Sequence, residues 1–345
     1  MKIIGRDDVR LYTDADSRRM TPGPEPLWQD SAWLQWWDLD QHVGGVHRIG
    51  HEYNREGGPF VANWSNLVTP AGIYKKVTYL PLRDADKLTD GWGSGDDTAS
   101  MRAGDGEFVW TVDDPDAGVS ARLVFKDFHG AFMGFPTKGR TAENITAHHI
   151  DVAGALTGTI GMNGQAFNVS GLGLRDHGWG HRDFKLLISH RYVTGVFGPD
   201  LSFCAFANQS GSDESIETFG WVVRGDTVTF AKEIDILAHM EIDSISTRGG
   251  SIRLTLPDDE VIECRLTAVA PGLMNIFHNT FGNLNTLCSA EVGGRLGAGM
   301  LESSRTLAHR PTKLARALVN DGTYLGPFEQ QLKADDGPYT VNHTT

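Results

Sequence analysis

TGTIGMNGQAFNV, residues 157–169, carries the pair Asn163-Gly164 between two segments in which apolar and polar side chains tend to alternate. This pair suits a type I′ turn, because both residues tolerate a positive φ, and that turn joins neighbouring antiparallel strands. The stretch therefore predicts a β-hairpin near the middle of the 345-residue chain.

Similar hairpin patterns recur on both sides of this stretch. EFVWTVDDPDAGVSARLVFKDF, residues 107–128, predicts two strands joined at DDPDAG, and later turns are predicted at residues 198–200, 225–226 and 257–259. Strands spaced by roughly ten residues and joined by short turns are typical of antiparallel meanders, which close into barrels or pack as sandwiches. The sequence therefore predicts an all-β protein.

Three segments depart from the alternating pattern. Residues 27–37 and 309–319 fit short helices, although the tryptophans of the first segment also fit a strand. Residues 84–106 are polar and rich in glycine, and we expect a loop there. Because strand density is similar on both sides of a glycine-rich segment near residue 170, we expect two barrel-like domains, residues 1–169 and 170–345.

The composition restricts the class of protein. Hydrophobic residues make up 40% of the chain, charged residues 22%, and the formal net charge is −13. A chain of this charge repels phosphate backbones and anionic membranes, so we expect no nucleic-acid partner. The sequence shows neither the apolar core of a signal peptide nor a run of membrane-span length, so we expect a cytoplasmic protein without stable membrane insertion.

The three cysteines, Cys204, Cys264 and Cys288, are far apart and lack the spacing of metal ligands. Two of them lie in segments of strand-like alternation. We therefore expect buried free thiols, as in a reducing compartment.

The stretch GLGLRDHGWGHRD, residues 171–183, concentrates ionisable groups among glycines. One interpretation is structural: Arg175 and Arg182 pair with Asp176 and Asp183 and fix the junction between the two halves. The other is chemical: burial beside a cavity keeps one carboxyl group protonated as an acid. The sequence leaves both interpretations open.

This stretch, extended to Phe184, resembles the G-x-R-D-x-x-W-G-x-R-D signature of the two-domain, lipocalin-like proteins related to carotenoid hydratases and AttH-like proteins. Three further segments are similar to that family in the same order: residues 33–54 (WLQWWDLDQHVGGVHRIGHEYN), 147–171 (AHHIDVAGALTGTIGMNGQAFNVSG) and 297–302 (GAGMLE). The resemblance implies two consecutive lipocalin-like barrels with few short helices and a ligand cavity. It also implies acid–base chemistry on an apolar, isoprenoid-like alkene or alcohol.

Hydration of an alkene starts with a proton delivered to a weakly basic carbon. The reaction needs a protonated acid in a dry pocket, aromatic faces to stabilise the developing cation, and a base that deprotonates the attacking water. Asp176 is the first candidate for the acid, and His177 is a candidate base or proton relay. Glu302 is a further candidate, because it ends the otherwise small and apolar segment GAGMLE.

His148 and His149 are neighbours in a predicted strand, so they face opposite sides of the sheet, and we take His149 as a catalytic candidate. The candidate substrate-binding residues are Trp179, His181, Arg182 and Tyr192. His177 and His181 are four residues apart, but the glycines between them disfavour the helix on which they would form a metal pair. We expect neither a metal nor another cofactor.

The leading hypothesis from the sequence is a cofactor-independent hydratase or dehydratase, with a hydrophobic small molecule as its partner. A double-bond isomerase or cyclase would use the same acid–base pair. A non-catalytic carrier of a hydrophobic ligand is the alternative from another class. The sequence contains no nucleophile elbow, P-loop or dinucleotide-binding fingerprint, which disfavours covalent and nucleotide-dependent chemistry.

Overall fold

The computed structural model describes residues 1–104, 106–145, 148–184, 187–210, 215–240, 246–277 and 281–306. Strands dominate these ranges, and the helical elements are one short α-helix, α1 (Arg140–Asn144), and three 3₁₀ turns. The strands are β1 (Lys2–Ile4), β2 (Trp28–Asp38), β3 (Val43–Glu52), β4 (Phe60–Thr69), β5 (Gly72–Pro81), β6 (Gly91–Gly93), β7 (Ala99–Gly104), β8 (Glu107–Asp114), β9 (Val119–Asp127), β10 (His148–Met162), β11 (Gln165–His181), β12 (Leu187–Gly198), β13 (Leu201–Ser210), β14 (Ser215–Arg224), β15 (Thr227–Phe230), β16 (Glu233–Met240), β17 (Thr247–Thr255), β18 (Val261–Ala268), β19 (Leu273–Phe277), β20 (Phe281–Val292) and β21 (Arg295–Thr306).

The N-terminal sheet has ten strands in the order β5-β4-β3-β2-β11-β10-β9-β8-β7-β6. The predicted hairpin at its centre is confirmed: β10 pairs with β11 from Met162↔Gln165 to His148↔Trp179. Asn163 and Gly164 have φ values of 52° and 76°, as a type I′ turn requires. The same pairing brings the signature segment, within β11, beside the histidines of β10.

This sheet curls until its two ends meet. The Tyr74 hydroxyl of β5 donates a hydrogen bond of 2.9 Å to the Asp114 carboxylate of β8, and a ring nitrogen of His51 on β3 lies 3.1 Å from the carbonyl oxygen of Gly93 on β6. Contacts between the ends of a sheet protect its edges, as in a barrel. The predicted N-terminal barrel is therefore formed by β2 to β11.

The C-terminal sheet is a similar curled meander of eleven strands, in the order β1-β15-β14-β13-β12-β21-β20-β18-β17-β16, with β19 paired to β20 outside this path. Its curl brings β14 beside β16, where Ile234 Cδ1 would lie 3.0 Å from a Cβ atom at Gly220. The sheet is completed by the start of the chain, because β1 pairs in parallel with β15. The first residues of the protein therefore belong to the second barrel.

The segment of residues 27–37 lies almost wholly in a strand, β2, and not in the helix that its pattern also allowed. All eleven residues of β2 are buried, because one face packs inside the N-terminal barrel and the other against the C-terminal barrel. Trp36 lies in the first core, whereas Trp33 and Trp37 lie in the core between the barrels. Full burial of one such side chain contributes about 1.5–3 kcal/mol or more, so both cores depend on this strand.

The signature segment is an inner strand of the N-terminal sheet, and not a bridge between the barrels. β11 pairs with β2 along ten residues and with β10 on its other side. The sheets therefore divide between His181 and Leu187, beyond the expected boundary at residues 169 and 170. Arg175 donates two hydrogen bonds, of 2.7 and 2.6 Å, to the Asp127 carboxylate on β9. The structural interpretation that paired Arg175 with an aspartate of its own segment is therefore wrong.

The predicted loop at residues 84–106 contains two strands, β6 and β7, which form the end of the sheet. Trp92 of β6 is fully buried and provides the apolar contact that anchors this polar segment.

The predicted helix at residues 309–319 lies outside the described residues. Cys204, Cys264 and Cys288 are free and buried, as expected. Among the described residues, we find no helix with the length and apolar character that crossing a membrane requires.

Candidate active site

A cavity of about 100 Å³ lies between the two barrels, walled by strands of both sheets. Its apolar lining consists mainly of aromatic rings. Ile145, Phe184 and His190 are only partly buried and mark its open end. The apolar lining residues are Trp33, Trp64, Phe135, Ile145, Phe184 and Phe206.

The same cavity collects polar and ionisable side chains from distant parts of the chain. Five of the eight residues that the sequence predicts for the site line it: His149, Asp176, Arg182, Tyr192 and Glu302. The complete polar lining is Ser31, Arg48, His149, Asp176, Arg182, His190, Tyr192, Asn208, Asn283 and Glu302.

His149 connects two aspartates on the N-terminal wall. Strand pairing places Asp151 of β10 directly opposite Asp176 of β11, and His149 precedes Asp151 by two residues on the same face. His149 Nδ1 lies 2.9 Å from Asp151 Oδ2, and His149 Nε2 lies 3.7 Å from Asp176 Oδ2. The imidazole thus lies between a fixed carboxylate and one that faces the cavity.

Asp176 has the properties of a proton donor. The Asp176 side chain is 17% exposed, and it lines the cavity. Burial raises the pKa of its carboxyl group from 3.8 to about 6. His149, Arg182 and Arg48 oppose that rise, whereas the charge of Asp151 adds to it. A carboxylic acid with such a pKa is partly protonated near neutrality, as general acid catalysis requires.

Tyr192 of β12 joins the two walls of the cavity. Its hydroxyl donates a 3.1 Å hydrogen bond to Asp151 Oδ1, and its ring stacks on Phe206 with centroids 4.2 Å apart. Burial raises the Tyr192 pKa well above its ordinary value. Tyr192 therefore stays neutral and holds the Asp151 carboxylate that orients His149.

The C-terminal wall carries a second acid–base pair. A nitrogen of His190 on β12 forms a short hydrogen bond with the carboxylate of Glu302 on β21, and Ser304 donates to the same carboxylate at 3.1 Å. Strand register explains the grouping, since Tyr192 pairs with Glu302 and His190 with Ser304. The cavity therefore has titratable groups on both of its walls.

Three predicted site residues lie elsewhere. His177 is fully buried on the opposite face of β11, with Nε2 2.7 Å from Asp30 Oδ1 and Nδ1 2.8 Å from the Asp16 carbonyl oxygen. Trp179 stacks on His148 with centroids 4.9 Å apart, and His181 bonds the Pro26 carbonyl oxygen at 2.7 Å. None of the three lines the cavity.

The sequence pattern did not single out Arg48, Asp151 or His190. Two of them had a usable signal: Asp151 and His190 are each two residues from a predicted residue, and alternation places such neighbours on one face of a strand. Arg48 had no comparable signal, because its place at the cavity depends on how the two sheets pack.

A wider cavity, of about 760 Å³, lies along the C-terminal barrel and contains none of the predicted site residues. Its charged side chains pair with one another across strands, as in Arg265 with Glu291 and Arg253 with Glu263. Paired charges of this kind are typical of a solvated sheet surface. We therefore place the candidate site between the barrels.

Within the described part of the chain, His149, Asp151 and Asp176 form a group whose ligand atoms lie within 4.8 Å of one another. Their donor types suit a divalent cation. However, Asp151 already accepts from Tyr192 and contacts His149, and the charges of Arg48 and Arg182 act on Asp176. The residues therefore fit an acid–base relay better than a cation site.

Two curled antiparallel barrels with a polar-lined cavity between them define the class of two-domain, lipocalin-like proteins. The chain belongs to the family described as "Domain of unknown function (DUF7064)", whose model matches residues 13–307. No curated protein matches the chain.

Solved structures with the same fold include a putative AttH from Nitrosomonas europaea, with a TM-score of 0.64, 11% identity, and coverage of 80% of this chain and 92% of that chain. CghA is similar at a TM-score of 0.57 and 12% identity, covering 83% and 90% of the two chains. Kievitone hydratase from Nectria haematococca is similar at a TM-score of 0.56 and 8% identity, and the match covers 88% of this chain and 96% of that chain. At these identities the likeness shows the fold, and it confirms the predicted pair of lipocalin-like barrels.

Proposed function

We propose that the protein is a hydratase or dehydratase that acts on the alkene or alcohol end of an apolar, isoprenoid-like molecule. The observation that carries the proposal is the placement of protonatable Asp176 on one wall of an aromatic cavity and the His190–Glu302 pair on the other. A carrier needs an apolar wall with one or two polar anchors, whereas an enzyme of this type needs an acid and a base on opposite sides of the reacting carbons.

In the hydration direction, the Asp176 carboxyl group donates its proton to one alkene carbon, and the π electrons form the new C–H bond. The neighbouring carbon becomes a cation that the aromatic lining of the cavity, which includes Trp33, stabilises. Water attacks this carbon while the His190–Glu302 pair accepts its proton. Dehydration is the same sequence in reverse.

His149 then serves the acid. It lies beside Asp176, and Asp151 orients its ring through Nδ1. A proton taken up by His149 passes to the Asp176 carboxylate and restores the acid for the next turnover. This arrangement keeps the acid and its relay on the N-terminal wall and the base on the C-terminal wall.

The size of the cavity limits what reacts there. An apolar cavity of about 150 Å³ holds one benzene molecule, so the roughly 100 Å³ present here suits a short branched end of a molecule. The rest of a longer substrate extends through the open end beside Ile145 and Phe184. A terminal or near-terminal double bond, or the corresponding tertiary alcohol, is therefore the reacting group.

The experiment is incubation of the purified protein with a panel of isoprenoid alkenes and alcohols in H₂¹⁸O, read by mass spectrometry. One ¹⁸O atom in a product of the wild-type protein, absent with Asp176→Asn, supports the proposal. A product without ¹⁸O indicates an isomerase or cyclase, and tight binding without product indicates a carrier. Loss of the activity on treatment with a chelator would contradict the metal-free mechanism.

A further inference from the structure

Arg48 and Arg182 bring two guanidinium groups to the same corner of the cavity. Arg48 lies on β3, and Arg182 follows β11 directly. The amide of buried Gln29 lies between them; with its oxygen turned toward the two groups, it accepts from Arg182 Nη1 at 3.1 Å and from Arg48 Nη2. A neutral amide thus holds two like charges close together.

Two glycines make this corner possible. A Cβ atom at Gly50 would lie 2.5 Å from Arg48 Nη2, and one at Gly178 would lie 2.6 Å from Arg182 Nη2. Each guanidinium therefore occupies space that a side chain would fill at almost any other residue. The remaining contacts fix both groups further: Arg182 Nε donates to the Ile145 carbonyl oxygen at 2.7 Å, and Arg48 lies over the Trp64 ring at 5.4 Å.

The charge of this corner depends on the protonation of Asp176. Three cations, Arg48, Arg182 and Arg55, act on a group of three carboxylates, Glu52, Asp176 and the neighbouring Asp151. Arg55 and Glu52 form an ion pair of 2.8 Å. Protonation of Asp176, the form that donates a proton, removes one of the negative charges beside the two guanidinium groups.

Burial makes the two positive charges unfavourable once Asp176 is protonated. It lowers the pKa of Arg48 to about 10 and also lowers the pKa of Arg182. An anionic oxygen bound beside these groups would offset that cost, and guanidinium groups bind carboxylates with directed, charge-assisted hydrogen bonds.

We propose that Arg48 and Arg182 bind an anionic oxygen of the substrate, which is therefore an amphipathic acid: an apolar skeleton that carries a carboxylate. The anion site itself is independent of the proposed function. The position of the reacting group beside Asp176 rests on the proposed function. The acid group fixes the orientation of the molecule, and the double bond or alcohol lies between Asp176 and the His190–Glu302 pair.

The test is isothermal titration calorimetry with two matched pairs that lack a reactive double bond: 3,7-dimethyloctanoic acid with its methyl ester, and 3-phenylpropanoic acid with its methyl ester. Wild-type protein should bind at least one of the two acids about tenfold or more tightly than its ester. Arg182→Gln should remove that preference, and Arg182→Lys should keep part of it because the charge remains. Arg102→Gln, which changes an exposed arginine paired with Asp90, should have no effect.

Equal affinity for acid and ester in both pairs would overturn the proposal, as would wild-type protein that binds none of the four compounds. A preference that survives in folded Arg182→Gln and Arg48→Gln would also overturn it. The readout needs no turnover, so its failure is distinct from failure of the hydratase proposal. A protein that prefers the acids but incorporates no ¹⁸O into unsaturated analogues would retain the anion site and lose the proposed reaction.

Discussion

His149 Nε2 lies 3.7 Å from Asp176 Oδ2, while Nδ1 of the same ring lies 2.9 Å from Asp151. Asp151 is fully buried and is also held by Tyr192, so it fixes the ring and leaves Asp176 free to exchange a proton. The two carboxyl groups therefore have different roles, since Asp151 orients the imidazole and Asp176 faces the cavity with a pKa of about 6. Substitution of Asp151 and substitution of Asp176 should therefore have different effects.

Asp176→Asn should abolish most of the activity and at the same time stabilise the protein at neutral pH. Loss of a general acid costs roughly a hundredfold or more in kcat. The stability effect follows from the raised pKa: between pH about 4 and about 6 the folded protein binds more protons than the unfolded chain, so ionisation of Asp176 destabilises it as the pH rises. Well above pH 6 the gain in the variant should be about 3 kcal/mol, and it should be near zero below pH 4, measured by urea denaturation.

Asp127→Asn is the matched control for that variant. Asp127 lies on the same sheet but holds the buried guanidinium of Arg175, outside the cavity. It should lose about 1–3 kcal/mol of stability and keep the activity of its folded fraction. If Asp176→Asn behaved like this control, Asp176 would belong to the scaffold.

The pH dependence of kcat/KM should report the Asp176 carboxyl group. Because the protonated form is the active one in hydration, kcat/KM should fall about tenfold per pH unit above pH 6. His149→Ala should lower the rate and move this limb to higher pH, since His149 lowers the Asp176 pKa. A limb that stays in place in the variant would show that the titrating group is not coupled to His149.

Glu302→Gln should reduce kcat about a hundredfold, because it removes the carboxylate that accepts a proton with His190. Steady-state kinetics measures the effect, and the KM value should change little if the acid group of the substrate binds elsewhere. Glu260→Gln, a change at a surface pair with Arg224, should leave kcat as in the wild type. A loss confined to KM would assign Glu302 to binding.

His177→Ala should lower the free energy of unfolding and leave the enzymatic activity of the folded protein in place. The ring is buried between Asp30 and the Asp16 carbonyl oxygen, and its edge contacts Trp92 with centroids 5.0 Å apart. Loss of both hydrogen bonds should cost about 2–4 kcal/mol, seen in chemical denaturation. A stable variant with little activity would instead support the catalytic role that the sequence suggested.

Much of the fold was predictable because its local signals agree with one another. Asn163-Gly164 fixes the central hairpin, and alternation marks the strands whose two faces differ in polarity. β2 was ambiguous because both of its faces are buried, in two different cores, so its tryptophans show no single period. The boundary near residue 170 missed the division between the sheets because a glycine-rich segment was taken for a junction, whereas its glycines admit neighbouring strands and side chains.

The site was predictable only in part, for a physical reason. Period-2 alternation tells which residues share a face, as with His149 and Asp151, but not which face meets the second barrel. Asp176 and His177 are adjacent ionisable residues that the sequence presents as equally good candidates. Only the packing of the two barrels determines that Asp176 faces the cavity and His177 faces a core. Arg48 reaches the cavity through the register of β3 and the space at Gly50, which no local pattern reveals.

The most direct test of Asp176 as the acid is a titration of its carboxyl group by ¹³C NMR, with Asp176→Asn used to assign its signal. We predict a midpoint near pH 6, and a higher one in His149→Ala. A midpoint at or below the ordinary value of 3.8 would contradict the proposed mechanism, because Asp176 would then be ionised at every working pH and have no proton to donate.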